Sequence, residues 1–486
     1  MGSRALRARQ DHRCTARQEQ VDFRSSNGAS AGSPKLRRFA MSNKRLLNPA
    51  PDDRSPLAGL TGNISHCWRC SHCKWTPSPK SNAFAHACPS IQWGQFHAYS
   101  GGGKVITAFA LKEGEAQYTE TALQSVFACT MCGACDTSCK TNNAELVEPL
   151  SILYALRAHI AQEGHSLPVH LQMRDNLRQH GNALGRPRNE RSLWSEGLAL
   201  KDALAEQVDV LLLIGCDYAF DQALWPELHA IVRLLRSAGV DFGVAHAAEV
   251  STGEGAYDLG FQDDARELAK QMAQVIARSG ARQVVSCSAS SFAGIRNIWP
   301  RLGLPTLAQP ILHVTEFIDD LFEAGRLTLL KGEPVTVTYH DPCKLGRLSE
   351  QVVPSDTRWT KVLNTMSVHE APKQVLFGND GVYEPPRRLL ERVAGLQLVE
   401  MERNRVGSYC CGGAGGAPEA FPDFARFAAQ NRLDEARSTG AEVLATACGG
   451  CRRHLADVAS ATGGNIRVMG LFEILAGCVD VPVQER

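Results

Sequence analysis

The chain has almost no net charge and no long hydrophobic run. Its 52 basic and 51 acidic residues leave a formal net charge of +1, which argues against a dedicated nucleic-acid binder because phosphate contacts need a basic excess. No apolar run reaches the roughly 18 residues that a membrane-spanning helix needs, and the longest, VDVLLLIG at 208–215, predicts a buried strand. We therefore expect a globular cytoplasmic protein that reaches a membrane only through a partner.

Nucleotide and catalytic signatures are missing as well. The segment GGAGGAP at 412–418 fails the dinucleotide pattern because Pro418 stands where the last glycine is needed, and SGGGKV at 100–105 fails the phosphate-loop pattern at Ala98 and Val105. The sequence also has no catalytic triad and no flavin motif. Substrate oxidation is thus expected on another subunit.

The first forty or so residues form a separate segment. They are rich in Arg and Ser and lack hydrophobic periodicity, so we predict a disordered basic extension at 1–47. A targeting peptide is one interpretation. The other, which we favour, is that Met41 is the true start and that the preceding stretch is a translated upstream region.

Cysteine, in contrast, is abundant. The chain has 17 cysteines, a number that indicates either a secreted disulfide scaffold or intracellular metal chemistry. The cysteines are grouped in twos and threes, and no apolar signal-peptide core precedes them. This grouping favours metal.

Two short stretches each carry three cysteines at successive spacings of three residues. Such a run wraps a loop around one small object, so that its sulfurs converge on a cubane cluster, whereas a zinc site draws its ligands as separate pairs. In two-cluster ferredoxins, the remote fourth cysteine of each run serves the other cluster. The spacing therefore predicts two [4Fe-4S] clusters, one on Cys67, Cys70, Cys73 and Cys139 and the other on Cys129, Cys132, Cys135 and Cys88.

Helical periodicity follows the second run, so residues 60–185 are predicted to form a mostly helical ferredoxin-like domain. Trp68 and Trp75 are expected to shield the first cluster from water. The polar stretch GRPRNERSLW at 185–194 is interpreted as a linker.

From about residue 208, short β-branched runs alternate with amphipathic helices, which predicts parallel sheets covered on both faces. The order of elements occurs twice, and its landmarks pair Cys216 with Cys343, VSTGEGA with YCCGGAG, and CSAS at 287–290 with CGGC at 448–451. We therefore predict two copies of one unit, at 205–330 and 333–482. The second copy has an insertion at about 350–379, expected to be a surface loop that contacts a partner or gates the site.

Five cysteines of the second copy lie at strand ends or in the loops beside them, where α/β sheets place ligands. Glycines after the double cysteine let backbone amides approach a thiolate or sulfide closely. Two adjacent cysteines do not easily serve one corner of a compact cube, so they favour an opened cluster with a shared or bridging thiolate. The five residues are Cys343, Cys410, Cys411, Cys448 and Cys451.

These patterns resemble a known family. Cys343, the CysCysGly at 410–412 and the Cys-x-x-Cys at 448–451 look like the cysteine-rich CCG domain of heterodisulfide reductases. With two ferredoxin runs in front, the layout is similar to the fused D subunit of that family. It is also similar to the iron-sulfur subunits of glycolate oxidase and anaerobic glycerol-3-phosphate dehydrogenase. YHDPCKLGRLSE, GVYEPPRRLL and EMERNRVGSYCCGG look closest to the iron-sulfur electron-transfer subunit of class II benzoyl-coenzyme A reductase complexes.

The resemblance implies that the five cysteines of the second copy bind a non-cubane [4Fe-4S] cluster, with zinc as the alternative. In the first copy Ser251, Thr252 and Ser290 stand where the family has ligands. Only Cys216 and Cys287 are left, so we interpret this copy as structural or as a docking surface; a reduced site on both cysteines is the alternative. His340 is expected to hydrogen-bond a cluster sulfur, to relay a proton, or to satisfy a turn.

The whole sequence predicts an α+β multidomain protein, with a helical two-cluster domain followed by two α/β CCG units. We expect an iron-sulfur electron-transfer subunit of an anaerobic-type oxidoreductase complex. Its expected partners are a flavoprotein, a ferredoxin or acyl-coenzyme A reductase components. The alternatives are a disulfide reductase that acts at the CCG cluster, an iron-sulfur subunit of a glycolate or glycerol-3-phosphate dehydrogenase, and a zinc-bearing assembly module.

Overall fold

The protein is described by a computed structural model over residues 55–143, 147–328, 332, 334–353, 359–363, 366–369 and 374–478. These residues all belong to one unit, Asp52–Arg486. The predicted extension at 1–47 lies outside the described residues. Within these ranges, every helix is too short or too polar to cross a bilayer.

Helices make up the first part of the described chain, as expected. Side-chain caps begin two of them: Ser100 accepts from the Gly103 N–H (3.0 Å) and Thr119 from the Ala122 N–H (3.2 Å). Short 3₁₀ turns at Ala58–Leu60, His72–Lys74, His97–Tyr99 and Arg188–Ser195 connect the helices. These are α1 (Thr61–Ser65), α2 (Pro89–Gly94), α3 (Gly101–Lys112), α4 (Glu120–Phe127), α5 (Ala134–Asn143), α6 (Pro149–Gln162) and α7 (Pro168–His180).

The first sheet is entirely parallel. Its central strand, VLLL, is buried along its whole length because helices cover both faces. The strand order is β1-β3-β2-β4-β5. The strands are β1 (Lys201–Asp202), β2 (Val210–Leu213), β3 (Phe242–Val244), β4 (Gln283–Ser286) and β5 (Ile311–His313). The helices are α8 (Cys216–Phe220), α9 (Trp225–Ser237), α10 (Glu254–Leu259), α11 (Gln262–Ser279), α12 (Ala289–Ala293), α13 (Trp299–Arg301) and α14 (Val314–Glu323), with 3₁₀ turns at Gln222–Leu224 and His246–Ala248 and a π-helical turn at Gly294–Ile298.

The second sheet has four parallel strands in the order β11-β10-β6-β9. Residues 350–379 include an antiparallel hairpin, so the predicted surface loop is partly strand, while its residues 354–358, 364–365 and 370–373 lie outside the described part. The strands are β6 (Val335–His340), β7 (Trp359–Val362), β8 (Met366–His369), β9 (Leu396–Val399), β10 (Val443–Thr446) and β11 (Arg467–Gly470). The helices are α15 (Glu384–Glu391), α16 (Ala417–Ala420), α17 (Pro422–Ser438), α18 (Gly449–Thr462) and α19 (Leu471–Ala476), with a 3₁₀ turn at Arg405–Gly407.

The two sheets have the same topology. Read across each sheet, β3-β2-β4-β5 corresponds to β9-β6-β10-β11, which supports the predicted duplication. Helices also pack across the boundary between the two halves, α19 on α9 and α14 on α15. Buried side chains of both halves therefore belong to one continuous hydrophobic core.

Candidate metal centre

The first cysteine set lines a single small cavity. Cys67, Cys70 and Cys73 come from the loop after α1, and Cys139 comes from α5. The Gly102 N–H donates to the Cys73 sulfur (3.2 Å) and the Asn143 amide donates to the Cys139 sulfur (3.4 Å). The structure therefore brings together the four thiols that the spacing predicted for one cluster.

The second set is equally close. Cys88, the residue before α2, lies near Cys129 and Cys132, and Cys135 lies near all three. Cys88, Cys132 and Cys135 are at most 8% exposed. The remote Cys88 thus reaches across to the second run, as the exchange of fourth ligands requires.

The two triple-cysteine loops share an unusual backbone conformation. The residues on either side of the middle cysteine are left-handed in both loops: Arg69 (φ 59°) and Ser71 (φ 69°) in the first, and Met131 (φ 54°) and Gly133 (φ 77°) in the second. Three of these residues are not glycine, and such strain concentrates at functional sites. Cysteine spacing alone carries no sign of it.

The glycine run at the start of α3 passes between the two sets. A Cβ atom on Gly101 would lie 2.8 Å from the Cys135 Cβ and 3.3 Å from the Cys73 Cβ, and one on Gly103 would overlap the His97 carbonyl. The run GGGK is therefore explained by close packing between two cysteine sets. This role was not recognised from the sequence.

The third set is a continuous chain of thiol contacts. Cys410 contacts Cys343 and Cys411, the Cys411 and Cys451 sulfurs are 3.2 Å apart, and Cys451 contacts Cys448. All five are buried, with at most 7% exposure. The turn before Cys343 is tied to the double-cysteine segment by Ser408, whose hydroxyl donates to the Asp341 carbonyl (2.9 Å).

His340 faces this set in a defined tautomer. Arg432 donates from Nε to His340 Nδ1 (3.0 Å), and a guanidinium cannot accept a hydrogen bond. The proton of the neutral ring must therefore sit on Nε2, which is buried and has no hydrogen-bond partner among the described residues. A ring nitrogen of His340 lies within 4.8 Å of the Cys411 and Cys451 sulfurs. Hydrogen bonds from Cys410 and Cys451, with a smaller contribution from His340, lower the pKa of Cys411. The Nε2 proton of His340 is thus free to be donated to a sulfur of a cluster bound at the third set.

The donor atoms fit iron-sulfur clusters. Burial raises the pKa of Cys88 and of Cys139 to about 12, so these thiols become thiolates only when a bound cation offsets the cost of burying the charge. Soft thiolates suit iron-sulfur and zinc ions. Four sulfurs in each of the first two sets and five in the third match the expected division.

The second and third sets are in direct contact. The side chain of Cys132 in the second set interacts with that of Cys410. Arg347 sits beside this junction, where its Nε donates to the Cys132 carbonyl (2.7 Å) and its charge interacts with Cys343. A buried arginine at this position was not anticipated, although it belongs to the motif YHDPCKLGRLSE.

The first half keeps fewer cysteines at ligand positions than the sequence pattern suggested. Ser288 is the N-cap of α12 as Cys448 is of α18, and each lies two residues after the last residue of its strand. The predicted pairing of CSAS with CGGC is therefore wrong by one residue, because the strand ends fix the register. Cys287 corresponds to Ala447 and is a core residue, 1% exposed.

Cys216 does stand at the position equivalent to Cys343. It accepts a hydrogen bond from Arg191 (3.1 Å), a buried residue of the 3₁₀ turn Arg188–Ser195. The interpretation of residues 185–194 as a polar linker is thus wrong, since Arg191 and Trp194 are each 2% exposed.

Both tryptophans that were predicted to shield the first cluster are exposed at the surface. Trp68 is 68% exposed and Trp75 is 43% exposed. Arg69, the residue after Trp68, has a left-handed backbone conformation (φ 59°), and Trp68 is among the residues that line the first cavity. The first set therefore lies close to the surface.

Comparison with known proteins agrees with this geometry. Residues 63–143 match a family model described as a 4Fe-4S dicluster domain, and residues 337–456 match one described as a cysteine-rich domain, CCG. The first match covers the first two cysteine sets and the second covers the third. The dicluster match supports [4Fe-4S] clusters in the helical part.

The chain is also similar to curated proteins. The chain is 28% identical to the D subunit of the dihydromethanophenazine:CoB--CoM heterodisulfide reductase of Methanosarcina acetivorans, over 90% of this chain and 99% of that protein. It is 30% identical to "Probable membrane-anchored ferredoxin" of Chromohalobacter salexigens (74% and 48%). It is 24% identical to "EtfAB:quinone oxidoreductase" of Syntrophomonas wolfei (74% and 47%). The chain is thus similar over nearly its whole length to the D subunit of heterodisulfide reductase, and it matches the models of a 4Fe-4S dicluster domain and a CCG domain.

Proposed function

We propose that this protein is the electron-transfer subunit of an oxidoreductase complex. The first two cysteine sets hold one cubane [4Fe-4S] cluster each, and the third holds a non-cubane [4Fe-4S] cluster. When bound, these clusters supply single-electron transfer between a redox partner and the CCG site. The proposed setting is the cytoplasm, with a flavoprotein, a ferredoxin or acyl-coenzyme A reductase components as partners.

The contact between Cys132 and Cys410 carries this proposal. It joins the helical region to the CCG half through adjacent ligand positions. At the other side, Gly101 of α3 separates Cys73 from Cys135 with no side chain of its own. The three sets thus follow one another in the order first, second, third, and the five cysteines of the third set are buried away from water.

A second candidate is catalysis of disulfide reduction at the CCG site. The observation in its favour is a cavity of about 180 Å³ that is lined by Cys216 and Asp217 of the first half and by Gly413 and Gly416 of the second. Asp217 lies close enough to Cys411 for their charges to interact. The cavity gives a small molecule room beside the third set.

The test is spectroscopy on anaerobically purified protein. Electron paramagnetic resonance over a redox titration should resolve two cubane signals and a third, different signal. Cys411→Ser should abolish the third and leave both cubane signals. Loss of all three signals together would contradict the proposed division. A change in the third signal on addition of a thiol or disulfide would favour the second candidate.

A further inference from the structure

The surface around the first cysteine set is basic. No aspartate or glutamate occurs between Ser55 and Lys112. Arg69 and Lys74 lie near His97, which lines the same cavity as the first set. Lys80 is exposed in the loop after Trp75. Among the described residues, these three cations have no carboxylate partner within ion-pair distance.

The nearest acidic groups do not neutralise this surface. Asp136, which lies close to Cys139, is 8% exposed, and Glu148 is 5% exposed. Both pair with Lys140, at 2.6 and 3.5 Å. Their charges are compensated inside the protein, so the outer face keeps a local excess of positive charge although the whole chain is nearly neutral.

Exposed aromatic side chains accompany the charge. Trp68 and Phe96 are each 68% exposed, and Cys70 is the one exposed residue among the thirteen predicted ligands, all of which the structure describes. Large apolar side chains on a surface indicate an interaction site, and aromatic residues are enriched at protein interfaces. The first set thus contains the most exposed of the predicted ligands, Cys70, which directly follows the exposed residues Trp68 and Arg69.

We propose that this patch docks the acidic face of a small electron-transfer protein or domain. The inference rests on the proposed function and adds the entry point and the charge of the partner. Trp68 and Phe96 provide the apolar contact, and Arg69, Lys74 and Lys80 steer the acidic partner to it. Contact at Cys70 brings the cofactor of the partner close to the first set.

A protein partner fits the observations better than a membrane. A membrane would engage the aromatic and basic side chains equally well, but it would gain nothing from the exposed Cys70 between them. A ligand cysteine within the patch is explained if electrons pass between the partner and the first set at this point. Binding to anionic lipid is therefore the competing outcome of the test.

The test measures binding and electron entry in the holoprotein. The probe is a purified acidic ferredoxin, and its Kd is measured anaerobically by calorimetry at rising salt. Lys74→Gln with Lys80→Gln should weaken binding on the order of tenfold at low salt and flatten the salt dependence. The control, Lys270→Gln with Arg278→Gln on α11, should bind as the wild type does.

Two further measurements decide the interpretation. Reduction of both variants by methyl viologen, a small cation, should proceed at the wild-type rate, and iron content and cubane signals should be unchanged. Absence of the cubane signals from the wild-type holoprotein would instead reject the proposed function. Salt-independent binding, equal binding by the two double variants, or loss of binding to phosphatidylglycerol vesicles without loss of ferredoxin binding would overturn the docking proposal.

Discussion

At the scale of single residues, the side chains behind the cysteines define the third site. Arg432 is fully buried and donates to both His340 and Glu435, the latter at 2.7 Å. Arg403 also pairs with Glu435 and donates to the His86 carbonyl. This network fixes the ring of His340 and ties the helical region to the CCG half.

The expected consequence is a change in redox potential at the third site. His340→Leu removes the Nε2 donor, so the midpoint potential of that site should fall by tens of millivolts, because hydrogen bonds to sulfur stabilise the reduced state. His340→Gln keeps an N–H near the same position and should restore part of the shift. Redox titration followed by electron paramagnetic resonance measures both variants.

The two cubane potentials serve as internal controls for this prediction. They should not move in either variant, since His340 contacts neither of the first two sets. If the third-site potential is the same in wild type and His340→Leu, with all iron retained, then His340 only completes the hydrogen bonds of its own turn.

At the scale of elements, helix α3 sets the spacing between the first two sets. Gly103→Ala should lower the iron content of both, because the new methyl group would overlap the His97 carbonyl and push the helix away. The matched control is Gly255→Ala in α10, where a Cβ meets nothing within 4 Å. Iron analysis and melting temperature of both variants check this prediction, which fails if Gly103→Ala loads iron like the control.

Some features of the fold and of the site could be predicted from the sequence, and others could not. Cysteine spacing and alternating strands predicted the three sets and the duplicated sheets, because spacing along the chain directly limits which sulfurs converge. The predicted alignment of Cys287 with Cys448 was wrong by one residue. The serine-rich turn after β4 can be aligned with its counterpart only when the last residue of each strand is known. Arg191 and Arg347 were missed because a single arginine in a loop gives no periodic signal. The finer likeness to benzoyl-coenzyme A reductase subunits stays a prediction.

At the scale of the whole molecule, a buried carboxyl joins the two halves. Glu227 of α9 accepts hydrogen bonds from Tyr218 (3.0 Å) and from the Phe472 N–H of α19 (3.4 Å). Burial, with Glu473 nearby, raises the pKa of Glu227 from 4.5 to about 8. The folded state therefore binds the extra proton, so this contribution to stability is full below about pH 4.5 and is lost as the pH rises through about 8.

The raised pKa of Glu227 predicts how the stability of a Glu227 variant depends on pH. Glu227→Gln imitates the protonated carboxyl, so its melting temperature relative to wild type should increase from about pH 4.5 to about pH 8 and then level off, by the equivalent of a few kcal/mol at most. Anaerobic thermal melts of both proteins across this range measure the difference. A difference that stays constant with pH would mean that Glu227 is not protonated in the folded protein.

The central claim is that thirteen cysteines divide into sets of four, four and five, and the most direct test is iron per chain in single Cys→Ser variants. Wild type should carry about twelve iron atoms, and Cys139→Ser, Cys88→Ser and Cys448→Ser about eight each. Cys216→Ser and Cys287→Ser should keep about twelve. Equal iron in all six proteins, or complete loss of iron from any one variant, would contradict the account.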